Sequence, residues 1–264
     1  MRNTRTIVVT GAASGMGAAT AACLKAEGQR VIGVAVRDSD VTADLSTAAG
    51  RAEALNSING LADGVIDGVV TWAGVAGLTT VPGSLLASVN FFGSVVLLEG
   101  LRPLLANGDR PSAVAISSNS TTCQPGVPMD LVAQFLDGDE DAARASADAV
   151  GAMATYPASK MAIAHWVRRT APTPQWAGIG ITLNAVAPGA IETPMLQATR
   201  EDPAIGKFID SFPVPVGRKG TAEELAAFVA FLLGPDARFF CGSVLFCDGG
   251  TDALMRANDF PRPM

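Results

Sequence analysis

Short apolar runs alternate with stretches of helical spacing from the first residues of this chain onward. Residues 6–10 are a β-branched run that stops at Gly11, and residues 18–27 carry a helical pattern ended by Gly28. Further strands are predicted over 30–36, 68–72, 113–116, 179–186 and 243–246, and further helices over 84–101, 156–169 and 222–233. Strands that are continuously apolar, rather than alternating, are buried on both faces. With helices between them they predict an α/β protein with a doubly wound, Rossmann-type parallel sheet flanked by helices. No repeat or linker divides residues 1–264, so a single domain is expected. Ligands of such sheets bind beyond the carboxyl ends of the strands.

Two segments break this rhythm. Residues 123–153 stand where a short loop would suffice, and they include the acidic run Asp137-Gly138-Asp139-Glu140-Asp141 followed by an alanine-rich helical stretch. Residues 190–216 are proline-rich and of mixed polarity. Long loops at strand ends often bind or cover a ligand. The first segment reads equally as an insertion with such a role or as a solvated decoration, and the second as a substrate loop.

Composition adds mainly exclusions. The 48% hydrophobic content suits a large interior, and the 28 glycines and 16 prolines suit many tight turns. A net charge of −6 without any Lys/Arg cluster argues against nucleic acid or an anionic membrane as partner. The four cysteines, Cys23, Cys123, Cys241 and Cys247, form no CxxC pair, and His165 is the only histidine. A metal site is therefore not expected, and reduced, buried thiols are. The N-terminal apolar stretch is only Ile7-Val8-Val9, too short for a signal peptide, and no run approaches the roughly 20 residues of a membrane span. A soluble, cytoplasmic protein is the expectation.

The candidate chemistry starts at the first strand-to-helix turn, Thr10-Gly11-Ala12-Ala13-Ser14-Gly15-Met16-Gly17. Glycines there let the chain turn sharply and approach a pyrophosphate, to which the helix N-terminus presents free N–H groups. An acid closing the second strand would accept the adenosine ribose hydroxyls, but Ala35 stands in that place. Arg37 can either pair with a 2′-phosphate or lie in solvent, so NAD and NADP both remain open. Tyr156, the only tyrosine, precedes Lys160 by one helical turn. A free phenol with a pKa near 10 is a poor base, and an adjacent ammonium is expected to lower it. Ser117 and Ser118 close a predicted strand, where a hydroxyl can hold a substrate oxygen. His165, about 2.5 turns beyond Tyr156, should face elsewhere and be structural.

Together these residues resemble the short-chain dehydrogenase/reductase family over nearly the whole chain. TGAASGMG is similar to its TGxxxGxG cofactor loop (Gly11, Ser14, Gly15, Met16 and Gly17), and Tyr156-Pro157-Ala158-Ser159-Lys160 to its YxxxK motif. Asp44-Leu45 resembles the pair that contacts adenine, and Asn90 the helix asparagine that organises a water beside the lysine. Residues 184–189 resemble the segment leading to the nicotinamide, with Pro188, Gly189, Ile191 and Thr193 close to it. Asp248-Gly249-Gly250 matches the ending of the last strand. The family's NNAG is Thr71-Trp72-Ala73-Gly74 here, so an asparagine that steadies the central sheet is missing, while Ala73 and Gly74 remain. Within the family, Ala43-Asp44-Leu45-Ser46-Thr47, the insertion 123–153 and the tail 248–256 resemble the bacterial 3α-hydroxysteroid dehydrogenase/carbonyl reductase type. Alignment with that type makes Ser118, rather than Ser117, the catalytic serine.

The resemblance implies an NAD- or NADP-dependent alcohol dehydrogenase or carbonyl reductase. Asn90, Ser118, Tyr156 and Lys160 would be its catalytic set. Tyr156 and Lys160 would also touch cofactor, with Arg37 a candidate at the adenosine end. Apolar residues in the two segments (Met129, Leu131, Val132, Phe135, Met195, Leu196, Phe208 and Phe212) suggest either a pocket for a bulky apolar alcohol or ketone, such as a steroid, terpenoid or aromatic, or plain packing onto the core. Two other readings stay open: a catalytically silent nicotinamide sensor, and a dehydratase or epimerase. A homo-oligomer is expected, with a dimer favoured over a tetramer because the insertion would cover one helix face.

Overall fold

The computed structural model describes residues 4–260, apart from the side chain of Phe208. Its strands are β1 (Thr6–Thr10), β2 (Arg30–Ala35), β3 (Val41–Thr42), β4 (Gly68–Thr71), β5 (Ser112–Ile116), β6 (Thr182–Pro188) and β7 (Val244–Cys247). They form one sheet in the order β3-β2-β1-β4-β5-β6-β7, and every neighbouring pair is parallel. The chain leaves β1 toward β2 and β3, then crosses back to place β4 on the other side of β1. The crevice above this switch point receives the carboxyl ends of β1 and β4.

The helices are α1 (Gly15–Ala26), α2 (Ala48–Leu61), α3 (Gly83–Leu86), α4 (Gly93–Leu105), α5 (Ser120–Cys123), α6 (Met129–Asp137), α7 (Glu140–Val150), α8 (Ala152–Thr170), α9 (Pro194–Glu201), α10 (Gly206–Ser211), α11 (Ala222–Leu233) and α12 (Thr251–Met255). On one face of the sheet, Ile7, Val9, Val70, Val114 and Val186 meet Leu24 of α1 and Leu225, Val229 and Leu233 of α11. On the other, Val8, Val69, Ala113 and Ala185 meet Ile58 of α2, Leu97 and Leu101 of α4, and Ile163 and Val167 of α8. Each strand sends alternate side chains to opposite faces, and both faces are covered. That is why the strands read as unbroken apolar runs.

The differences from the sequence reading have local causes. Helix α1 starts at Gly15, before the first residue of its apolar pattern, and α8 starts a turn before Tyr156. Strand β6 begins only at Thr182, because a 3₁₀ turn over Ala177–Ile179 occupies its predicted start. Strand β3 and helix α2 have no counterpart in that reading. One is two residues long; the other buries mainly small or polar positions, Gly50, Arg51 and Ala54, beside Ile58.

Helices α3 and α4 are joined by a π-helical segment, Ala87–Phe92, into one helix from Gly83 to Leu105. By length and composition this helix could cross a membrane, contrary to the expectation that no stretch approaches a span. Its apolar content serves the interior instead: Leu86, Phe91, Phe92, Leu97, Leu98, Leu101 and Leu105 are all buried.

The insertion is not a solvated decoration. Helix α6 turns Leu131, Val132 and Phe135 into the main core, where the Phe135 ring lies 5.2 Å from that of Phe91. In α7, Asp139 caps the first turn through Ala142 N, and Glu140 forms an ion pair with the buried Arg51 while accepting from Ser88 Oγ at 2.7 Å. One member of the acidic run thus caps α7, and the next holds the insertion to α2 and the π-helical segment.

Candidate active site

The crevice is built first by the glycine loop. Gly11 turns the chain away from β1 with φ +68°, and a Cβ there would stand 2.9 Å from Ala73 N. Only glycine combines that backbone with that approach. Ser14 precedes α1 without a side-chain capping bond, and the first turn carries no acidic residue. Its N–H groups and the positive end of the helix dipole are therefore free for an anion. At Gly15 a Cβ would lie 3.6 Å from Thr193 Cγ2, so loop 11–17 meets the segment after β6. A close-fitting glycine cradle and an uncapped helix start suit a dinucleotide diphosphate.

The turn after β4 is held without the family's missing asparagine. Thr10 Oγ1 accepts from Ala73 N at 2.9 Å. The Asn90 carboxamide accepts from Val75 N at 2.8 Å and donates to Val75 O at 3.0 Å. Asn90 reaches this loop from the π-helical segment, a geometry that recurs at functional sites. Trp72, in the asparagine's place, is 8% exposed.

Tyr156 and Lys160 follow from helix periodicity, but their surroundings come from three other elements. Pro157 has no N–H to give to the Met153 carbonyl four residues back, and Gln124 Nε2 donates to that carbonyl at 2.9 Å instead. Gly77 lies so near that a Cβ would stand 2.9 Å from Tyr156 Cβ. Lys160 is buried and donates to Ile116 O at 3.0 Å, with Nζ 6.0 Å from the Tyr156 ring centroid. Burial lowers its pKa to about 8. Ser117 Oγ is committed to Lys160 O at 2.9 Å, whereas the Ser118 hydroxyl is bonded to the Tyr156 phenol. Ser118 Oγ accepts from Ser120 N at 3.1 Å, which leaves its own proton to donate.

These charges correct one expectation. Burial raises the Tyr156 pKa, and the Ser118 hydrogen bond is what pulls it down. Lys160, its own pKa lowered to about 8 by burial, gives up its charge before a phenol shifted upward titrates, so its ammonium does not set the phenol's pKa in this arrangement.

Met16, Gly74, Ser117, Ser118, Tyr156, Lys160, Pro188, Gly189, Ile191 and Thr193 all line one cavity of about 700 Å³. Gly11, Ala73 and Asn90 support its wall from behind. Arg37, Asp44 and Leu45 are not brought to it. Arg37 and Asp44 are exposed, Asp44 accepting from Ser46 N at 2.9 Å, and the Leu45 side chain is in the core. His165 does not line it either, and burial together with Arg169 and Arg168 lowers its pKa. Among the described residues no cluster of His, Cys, Asp or Glu could hold a metal ion. None of the four cysteines is in a disulfide, and only Cys123 is fully buried; Cys241 is exposed, against expectation.

Of the apolar side chains predicted in the two flaps, only those of residues 190–216 line the cavity. Met195, Leu196 and Phe212 line the cavity, joined by Ile205, Ile209 and Met255, while Phe208 falls outside the described side chains. Leu131, Val132 and Phe135 face the core, and Met129 is exposed. From the insertion it is Cys123, Gln124, Pro125 and Met153 that reach the cavity. The sequence reading also misses Gly77 and Asp202, which bonds Thr79 N at 2.8 Å and Thr79 Oγ1 at 2.7 Å and so ties the α9–α10 flap to the loop after β4. Neither carries a motif, since each acts on a residue far away in the chain.

Comparison with known proteins agrees with this geometry. The family model described as enoyl-(acyl carrier protein) reductase matches residues 142–252. The chain is 39% identical to the 3-alpha-hydroxysteroid dehydrogenase/carbonyl reductase of Comamonas testosteroni over 96% of its length and 99% of the relative's. It is 29% identical to a 3beta-hydroxysteroid dehydrogenase of Eggerthella lenta, over 93% of both chains. Among solved structures, the 3-alpha-hydroxysteroid dehydrogenase of Pseudomonas sp. B-0831 in complex with NADH superposes with a TM-score of 0.92 at 44% identity, covering 97% of this chain and 100% of that one.

Proposed function

Since this chain belongs to the short-chain dehydrogenase/reductase family, we propose that it transfers a hydride reversibly between NAD or NADP and a secondary alcohol or ketone that is bulky and apolar. The observation that carries this reading is the meeting of Ser118, Tyr156 and Lys160 on the wall of one apolar cavity, beside the α1 N-terminus at Met16. The relatives named above act on hydroxysteroids, and a cavity of about 700 Å³ walled by Met195, Leu196, Ile205, Ile209 and Phe212 suits a ring system of that class.

When bound, the nicotinamide supplies the hydride acceptor or donor. Loop 11–17 and the α1 N-terminus would hold its diphosphate. Pro188, Gly189, Ile191 and Thr193 would bound the nicotinamide end, and Lys160, whose Nζ donates to Ile116 O, would hold its ribose. Ser118 and Tyr156 grip the substrate oxygen, and Tyr156 moves the proton. Asn90 fixes the loop after β4 behind them. We read residues 1–264 as one dinucleotide-binding and catalytic domain of a soluble, cytoplasmic protein, with residues 190–216 as the substrate loop and 123–153 as an insertion.

The test follows the near-ultraviolet absorbance of NADH and NADPH in parallel against cyclic and aryl ketones. Oxidation of either cofactor is expected. Binding of one without turnover of any ketone would overturn the reading. The same assay addresses the adenosine end. Ala35→Asp places a carboxylate at the end of β2, where it can accept from ribose hydroxyls and repel a 2′-phosphate. The ratio of kcat/KM for NADH over NADPH should rise by at least about tenfold, the equivalent of one good hydrogen bond. An unchanged ratio would place the adenosine elsewhere.

A dimer is the assembly we propose. The insertion packs on α8 and the π-helical segment, whereas Phe231 of α11, its ring 6.1 Å from that of Phe240, and the fully exposed Phe239 precede β7, an edge strand of the sheet. A second copy seated there would cover both the apolar side chains and the edge. Light scattering should return twice the chain mass, and a tetramer would refute the assignment.

A further inference from the structure

The tail 248–256 is a motif in the sequence to which the proposed chemistry gives no task. In the structure it folds back beneath Ser118. Asp248 and Asp252 are both buried, and Asp248 accepts from Gly250 N at 3.0 Å and from Asp252 N at 2.7 Å, which shapes α12. Asp252 is paired with Arg256 at 2.8 Å, and the guanidinium carbon rests 5.9 Å from the Phe246 ring centroid. The same Asp252 Oδ1 accepts from Thr122 Oγ1. Thr122 has one hydroxyl proton, and a carboxylate is a stronger acceptor for it than the Asn119 carbonyl at 3.2 Å.

Thr122 belongs to α5, which hangs directly from Ser118. Ser120 N donates to Ser118 Oγ at 3.1 Å, and Thr121 Oγ1 donates to Ser118 O at 2.8 Å. Asn119 N donates to Pro188 O at 3.0 Å, tying the same loop to the end of β6. Tilting α5, which packs against α8 and α12, would therefore turn the Ser118 hydroxyl away from Tyr156. Four residues cannot hold a helix in place by themselves, so its orientation depends on what it is bonded to.

We infer that Asp252, oriented by Arg256 and bonded to Thr122, is a positioning residue for Ser118, so that the C-terminal tail sets the aim of the serine hydroxyl. This rests on the assignment of Ser118 to the substrate oxygen, and the experiment separates the two. Ketone turnover and cofactor Kd are measured for Ser118→Ala, Thr122→Val, Thr122→Ser, Asp252→Asn and the double variant Ser118→Ala/Thr122→Val. Thr122→Val keeps the shape and removes the hydroxyl, and should lower kcat about tenfold, as a sub-ångström misplacement of a catalytic group does. KM and cofactor Kd should change by less than about twofold.

Asp252→Asn, which loses the charge that orients the pair, should fall in the same direction. Thr122→Ser, which keeps the hydroxyl, should restore the rate. In the double variant, Thr122→Val should cost nothing beyond Ser118→Ala, because a strut acting through the serine has nothing left to aim. Multiplying losses in the double variant, or full turnover in both Thr122→Val and Asp252→Asn, would overturn the strut while leaving the serine's role intact. Full turnover in Ser118→Ala would overturn both.

Discussion

Replacing Tyr156 by Phe is expected to lower turnover by about three orders of magnitude, within the range that a positioned general acid or base contributes. Cofactor Kd should stay within about threefold. The substitution removes one oxygen and keeps the ring, so packing against Gly77 and the helix around Lys160 is preserved. What is lost is the proton carrier and the partner of Ser118. Single-turnover reduction of a ketone, with cofactor binding measured by calorimetry, distinguishes these effects. Retained turnover would remove Tyr156 from the mechanism.

The direction of the phenol's shift also fixes a pH dependence. Burial raises its pKa above the usual value near 10, so the phenol is protonated at neutral pH and ready to donate to a carbonyl. Ketone reduction should hold its rate through neutral pH and fall only in the alkaline range. Alcohol oxidation needs the phenolate and should rise over the same range. Removing the Ser118 hydroxyl takes away the bond that lowers this pKa, so both limbs should move further alkaline in Ser118→Ala.

Gly17→Ala should weaken cofactor binding by about two orders of magnitude and lower thermal stability as well. The added Cβ would stand 2.2 Å from Gly11 O and 2.7 Å from Gly11 C, both backbone atoms without a flexible way out. Either the first turn of α1 or the Gly11 turn must move, and those are the two surfaces that form the diphosphate cradle. Overpacking of this kind costs about 1–3 kcal/mol in stability, or roughly 2–10 °C in melting temperature for a domain of this size. Calorimetric titration and thermal unfolding read the two effects separately. A variant that melts lower but binds cofactor normally would show that the cradle lies elsewhere.

The sheet and the two motif-bearing turns were legible in the chain alone. Buried parallel strands are apolar throughout, so β1, β2, β4 and β5 stand out within a residue or two of their ends. The glycine loop and the one-turn spacing of Tyr156 and Lys160 are local geometry, and local geometry is written in neighbouring residues. Helix α2 and strand β3 escaped because one has a weak apolar stripe and the other is too short to have a pattern.

Everything that depends on which distant surfaces meet was settled by the tertiary structure. The apolar stripe of α6 turns to the core rather than the cavity, since its partner is Phe91 in another helix and no spacing records that choice. Lys160 is directed at Ile116 O and Ser118 at Tyr156 because β5 ends beside α8, and burial and a serine bond govern the phenol rather than the neighbouring ammonium. The Asp252 and Thr122 contact joins positions 130 residues apart. Short-range order follows from backbone and periodicity, but electrostatics and side-chain direction depend on burial, and burial exists only once the chain has packed.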